Sequence, residues 1–443
     1  MRPQTLWAMT ASAIIALAVW PLFVKVTAAH AIPPTARFTP APPNRDDLRR
    51  DSIVSSLEAQ LKKNGPNFLV PRLLSAQYLQ RYRERGDIDD VLRAQHDARL
   101  SLDAQTRGNV AGELSLADAL LTLHRFREAR IHVDRAVRSA PTEDAFVAQE
   151  ASLDLETGDY ARAHDELRHI SARGRTTDAV QTIESRYDEL TGRLEDARRL
   201  LRTVTGNIDS LYDIPAERRA WFHMREGEMA FTAGDLTAAV DEEHSALAIF
   251  PNFNRAFNAL ARFELAQHHD KEALDAATKG AAIVPLPETL GYQADAQRAL
   301  GDAAAANRTN DEIEAIEKIG NAQRVNDRLL AIYYDEHDMK LPVAYMIAKR
   351  EVAVRDDVFA EDTIAWAAAK VGKWEEARSA IAKAQRYHTQ DSRIAYHAGV
   401  IAQHFDDNAK AKADFTQALA LNPAFHPVYA DDARVRLSKM STP

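Results

Sequence analysis

Cysteine is absent from the 443 residues, so disulfides, thiolate zinc sites, iron–sulfur clusters and covalent haem attachment are excluded. Glycine is scarce, at 16 residues, too few turn formers for an all-β chain of this length. Aromatic residues amount to 7%, so any core must rest mainly on aliphatic and small side chains. Positive charge is nowhere concentrated: 56 lysines and arginines are dispersed among 65 acids for a net charge of −9. A nucleic-acid surface needs a basic stripe, and none is present. Glycine-rich phosphate loops, nucleophile elbows and His-Glu-x-x-His runs are missing too, which leaves catalysis without a recognisable constellation.

One long apolar run is present. Arg2 precedes an uncharged stretch over residues 6–24, interrupted by Pro21 and closed by Lys25. Its length suits a bilayer-spanning helix. Ala29 and Ala31 supply the small-x-small spacing of a signal-peptidase site, so residues 1–31 read as a signal peptide or a membrane anchor. Either way the remainder is expected outside the cytoplasm, in the periplasm or cell envelope, with the membrane touched only through this segment. Pro33, Pro34, Pro40, Pro42 and Pro43 follow, making residues 32–45 a proline-rich linker of extended character.

Beyond the linker the order is periodic. Ala129, Ala163, Ala197, Ala239, Ala273, Ala306, Ala344, Ala377 and Ala411 recur in steps of 33 or 34 residues, broken by one of 42 and one of 38. Such a period marks stacked helix pairs, each unable to bury its apolar face alone. A second set of small residues, Ala117, Ala151, Gly227, Ala261, Ala294, Ala365 and Gly399, falls where the facing helix of each pair would meet the first. Glycine marks the turn between paired helices at Gly86, Gly158, Gly192, Gly234, Gly301 and Gly372, where a left-handed cap is needed. His124 stands at that place in one unit. Pro141, Pro251 and Pro423 close second helices.

These residues resemble the tetratricopeptide repeat family, best in the unit with Gly227, Gly234, Leu236, Ala239, Ala246 and Pro251, and in the last with Gly399, Ala411, Phe415, Ala418 and Pro423. The resemblance implies an all-α fold, a right-handed α-solenoid of about ten helix hairpins over residues 67–423. Val91 takes the alanine position in the first. Residues 46–66 and 424–443 read as N- and C-terminal capping helices, since terminal units need a polar outer face. Extra residues near 104–109, 204–215 and 317–324 are expected as lengthened helices or edge loops.

Three histidine groups invite a metal reading. His164 and His169 lie five apart and point to different sides of a helix. His268 and His269 are adjacent at a turn, where two imidazoles seldom converge. His397 and His404, with Asp406 and Asp407 after them, have the one spacing that suits a shared ligand. Packing and groove polarity account for them more simply, so no metal, cofactor or catalytic residue is assigned.

The resemblance implies that partners contact the first helix of each pair. Carried over position by position, this gives Trp221, Arg255, Asn258, Arg262, Tyr333, Trp366, Tyr396 and His397 as partner-binding residues. Arg255, Asn258 and Arg262 form a donor stripe suited to a carboxylate or peptide backbone. Tyr333, Trp366 and Tyr396 form a candidate aromatic strip. The expected function is a protein–protein interaction scaffold that binds peptides or proteins in its concave groove. A glycan or small-ligand sensor using the aromatic strip is the alternative, and a metal-dependent hydrolase around His397 and His404 has least behind it.

Overall fold

The computed structural model describes residues 38–65, 67–174, 177–320 and 327–440. The signal or anchor segment and residues 32–37 of the proline-rich linker lie outside them. Among the described residues every regular element is a helix, and none is long and apolar enough to cross a membrane.

Helix α1 (Arg45–Asn64) opens the array. Asn44 starts it with a capping box, accepting from the Asp46 and Asp47 amides while the Asp47 carboxylate takes the Asn44 N–H at 2.9 Å. Ten hairpins follow: α2 (Leu69–Arg85) with α3 (Ile88–Ala104), α4 (Val110–Thr122) with α5 (Phe126–Ser139), α6 (Asp144–Thr157) with α7 (Tyr160–Ser171), α8 (Asp178–Leu190) with α9 (Leu194–Ser210), and α10 (Ala216–Thr232) with α11 (Leu236–Ile249). The second five are α12 (Asn254–Ala266) with α13 (Asp270–Ile283), α14 (Pro287–Ala299) with α15 (Ala303–Gly320), α16 (Asp327–Glu336) with α17 (Leu341–Val352), α18 (Val358–Lys370) with α19 (Trp374–Ala384), and α20 (Ser392–His404) with α21 (Asn408–Leu421). Helix α22 (Tyr429–Met440) closes the stack. This is an all-α solenoid of helix hairpins.

The alanine ladder is its spine. All nine periodic alanines, and Val91 in the first hairpin, are 0% exposed. So are Ala117, Ala151, Ala261, Ala294 and Ala365 on the facing helices. Where glycine replaces alanine the approach is closer still: a Cβ on Gly399 would lie 2.6 Å from the Phe415 ring, and one on Gly227 2.6 Å from the Glu243 carboxylate. Sequence reading left the facing position unassigned in three hairpins, and the structure fills it with Ser75, Ser185 and Ala331. Ser185 hides its hydroxyl by donating to the Ala197 carbonyl at 2.8 Å, so a polar small residue serves the same packing.

The turns within hairpins are left-handed at every marked glycine, and also at His124 (φ 55°), His268 (φ 60°), Asp338 (φ 53°) and Asp406 (φ 57°). The long period step does two things at once. It extends α9 to 17 residues, against 12 in α7, and it adds a loop that leaves Tyr212 95% exposed. The extra residues after α3 are pinned by Asn109, which donates to the Ser101 carbonyl at 2.9 Å and caps α4 through the Gly112 amide. Helix α15 reaches 18 residues, so the third insertion lengthens it.

The solenoid winds far enough to touch itself. Bonds between residues 198, 199 and 191 apart join one coil to the next: Val358 N–H to Tyr160 Oη at 3.2 Å, Thr389 Oγ1 to the Leu190 carbonyl at 2.5 Å, and Asn422 Nδ2 to the Phe231 carbonyl at 2.6 Å. Arg355, 3% exposed at its side chain, reaches from Asp357 in its own coil to Glu156 in the other. The chain entering the array is fastened in the same way, with Ala41 exchanging two 2.8 Å bonds with Asn252. Residue 41 therefore lies on the array. With about six hairpins per coil, the concave side becomes an internal chamber.

Candidate functional site

Seven first helices, α8, α10, α12, α14, α16, α18 and α20, line a chamber of about 310 Å³. The residue directly after the buried small one faces it each time from α8 to α18: Arg186, Glu228, Arg262, Asp295, Ile332 and Trp366. A helix advances 100° per residue, so a small residue wedged against the partner helix turns its neighbour onto the inner face. A side cavity of about 60 Å³ shares Arg262, Tyr292, Asp295, Glu336 and Arg393 with the chamber and ends against Phe425 and His426.

The wall carries both signs of charge, mostly in pairs. Glu189 accepts from Arg186 at 2.6 Å and Arg225 at 2.9 Å. Burial alone would raise its pKa, but the two guanidiniums outweigh burial and hold it low. Burial likewise opposes the charge on Glu336, yet His426, Arg393 and His337 bring its pKa down to about 2. His337 turns Nε2 to Asp295 at 2.7 Å and Nδ1 to the Tyr333 carbonyl at 2.7 Å. Both partners only accept, so both ring nitrogens carry protons and the imidazole is a cation. Its pKa is accordingly raised, Asp295 overcoming the effect of burial. Asp335 has no such partner. It is 1% exposed, both its oxygens are unbonded, and burial pushes its pKa up to about 8 against the pull of Lys370.

Of the eight residues assigned from sequence, four come together on this wall: Arg262, Tyr333, Trp366 and His397. Arg262 lies over the Phe231 and Phe263 rings, 5.1 Å from each. Tyr333 donates to Asn310 at 2.6 Å and packs on His337. Trp366 stacks on His397 at 4.2 Å, with Lys370 over the same indole. The other four lie elsewhere. Trp221 wedges between two core clusters beside Phe222, and Arg255 is exposed away from the chamber. Asn258 is spent on Glu288 at 2.9 Å and Thr289 at 3.0 Å. Tyr396 is a core residue, stacked on Tyr429 and bonded to Asp432 of the closing helix at 2.6 Å. The donor stripe and the aromatic strip are thus each divided. Sequence reading missed Glu189, Arg225, Tyr292, Asp335 and Glu336, which also line the chamber.

The histidine groups do not converge. His397 binds Asp362 at 2.9 Å, whereas His404 stacks on Trp374 at 3.7 Å. His268 approaches Asp431, His269 bonds Glu264, and His164 stacks on Tyr187. Among the described residues no group of three or more histidines and acids is arranged to hold a metal ion.

No protein-family model matches the chain, and no curated protein matches it. Solved structures do. The type IV pilus biogenesis factor PilW is 18% identical over 47% of this chain and 94% of its own, with a TM-score of 0.39. A tetratricopeptide repeat protein from Parabacteroides merdae is 12% identical over 57% of this chain and 94% of its own, with a TM-score of 0.43. The Cut9–Hcn1 hetero-tetramer of APC/C supplies a chain 11% identical over 90% of this one and 95% of its own, with a TM-score of 0.33.

Proposed function

From a chain built as a tetratricopeptide-type array, we propose an exported or membrane-tethered, non-catalytic scaffold that binds other proteins through its inner surface. The observation that supports this is the convergence of seven inner helices on one chamber lined by guanidinium, carboxylate and aromatic groups. Placing so many charged groups on a wall that could be apolar is costly in stability, and recognition of a polar partner offsets that cost. Export rests on the apolar run of residues 6–24 and the small residues after it. The glycan reading has less support, because Tyr396 is buried in the core and both His397 and Lys370 already occupy the Trp366 ring.

A membrane-impermeant crosslinker applied to spheroplasts of the native host tests both parts. The wild-type chain is expected to capture partner proteins from outside, and Arg262→Glu with Trp366→Ala to lose them. Capture only after lysis would remove export. Undiminished capture by the double variant would remove the inner surface as the binding face.

A further inference from the structure

One contact repeats along the seam between the coils. Gly86, Gly158, Gly192 and Gly234, at the turns of hairpins one, three, four and five, each stand where an added Cβ would lie 2.5 to 2.7 Å from Val284, Asp356, His388 or Leu421. Those residues close hairpins six, eight, nine and ten, so each turn rests on the end of the hairpin five places later. Both rims are left with unmatched surface. Gly301 and Gly372, in the turns of hairpins seven and nine, have nothing within 4 Å of an added Cβ, and Asp338 and Asp406, in the turns of hairpins eight and ten, are exposed. The ends of hairpins one to four are exposed as well, at residues 106–108, 141–143, 171–174 and 210–213.

Helix α1 obeys the same spacing. Ala41, just before it, rests on Asn252 at the end of hairpin five, which gives the entering chain the place of a turn numbered zero and makes α1 a second helix. Leu48 stands four residues after the N-cap Asn44, as Ala239 stands after Asp235 and Ala411 after Asp407. Those two alanines are 0% exposed and Leu48 is 62% exposed, so the face that a first helix covers elsewhere is bare here. Residues 39–43 are non-helical and hold Pro40, Pro42 and Pro43, so they supply no first helix for a tight hairpin. At the other rim α22 follows hairpin ten where a first helix belongs. Val428 and Val435 on it are 62% and 48% exposed, and among the described residues no second helix covers it.

We infer that this chain binds a second copy of itself head to tail, α22 of one and α1 of the next forming a shared eleventh hairpin. Counting on from that hairpin, the four late turns meet the early ends of the next copy five places on: seven on one, eight on two, nine on three and ten on four. Four uncovered turns thus match four uncovered ends in register. The contact joins unlike surfaces and advances along the superhelix axis, so it does not close and builds an open filament. It continues an interface that the chain already makes with itself, and it buries apolar side chains that are bare at both rims. Nothing in it depends on what the chamber binds.

The chain has no cysteine, so introduced thiols report without background. The full chain in mild detergent carries Asp302→Cys at the turn of hairpin seven, Arg107→Cys at the end of hairpin one, or both, and meets a short thiol–thiol crosslinker; both positions are exposed. The two single variants mixed are expected to join as dimers, each alone to stay unjoined, and the double variant to give a ladder past the trimer. Asp302→Cys with Tyr212→Cys, which pairs hairpin seven with the end of hairpin four, should give no ladder. Leu48→Glu added to the double variant should cut the ladder about tenfold or more at an unchanged melting temperature, because it puts a charge into an apolar contact. No product from the mixture, joining by either single variant alone, or an equal ladder out of register would each overturn the inference. A ladder undiminished by Leu48→Glu would overturn it too. So would a lowered melting temperature with no ladder in any variant, the sign that residues 1–37 cover α1 instead.

Discussion

The turns of the first coil and those of the second use the same residue for different reasons. Gly301 and Gly372, in the second coil, have φ of 85° and 79° and nothing within 4 Å of where a Cβ would stand. They answer only to the helix cap. Gly158, Gly192 and Gly234, in the first coil, share that backbone but also abut the next coil, where a Cβ would come within 2.5 to 2.7 Å of Asp356, His388 or Leu421. Here the absent side chain is what lets one coil rest on the other. A repeat consensus thus hides two populations of glycine, one required by the hairpin and one by the superhelix.

That distinction can be broken by paired substitutions. Gly192→Ala should cost about 2–4 kcal/mol, the left-handed backbone and the collision with the His388 carbonyl adding together, whereas Gly372→Ala should cost about 1–2 kcal/mol. Equal losses in chemical denaturation would mean that the coils part in solution. Next in size is Glu243, which is 0% exposed with both oxygens unbonded, its pKa raised well above the usual 4.5 by burial and by Glu228. A carboxyl with a raised folded pKa leaves stability intact below the unfolded value and removes it as pH rises toward the folded one. Glu243→Gln should therefore stabilise the array by about 1–3 kcal/mol at pH 7 and by little at pH 4. A variant that gains nothing at pH 7 relative to pH 4 would show Glu243 to be well accommodated as an anion. The smallest effect sharpens the coil contact itself. Thr389→Val removes the hydroxyl that donates to Leu190 and should cost about 1 kcal/mol, with faster amide exchange at residues 190–192 and unchanged exchange at 370–372. Slow exchange retained at 190–192 would argue that this bond does not hold the coils.

Sequence made the hairpins legible because their signals are local. Small residues about 34 apart and glycine at the turn follow from packing one helix on its neighbour, and every periodic alanine is fully buried. Acids open both terminal helices, Asp46 and Asp47 in α1 and Asp431 and Asp432 in α22, a charge order that the sequence displays. Coil closure was not, because its contacts link Tyr160, Thr389 and Asn422 to residues nearly 200 positions away, with no motif to announce them. The candidate site divides along the same line. Arg262 and Trp366 reach the wall because the position after a buried small residue faces inward from α8 to α18. Glu189, Arg225 and Glu336 line the chamber from other registers, which the repeat positions carried over from the family did not include. Tyr396 was misplaced because its partner, Asp432, belongs to the closing helix, outside the repeat pattern.

A stack whose units meet only the unit before and after unravels from either end like a zipper, each loss independent of distant ones. Here Thr389, Asn422 and Arg355 fasten late hairpins onto early ones, so the neighbour graph is a sheet rolled into a cylinder. Trimming the last hairpins would strip the seam from the first, and fraying at one terminus would be felt at the other.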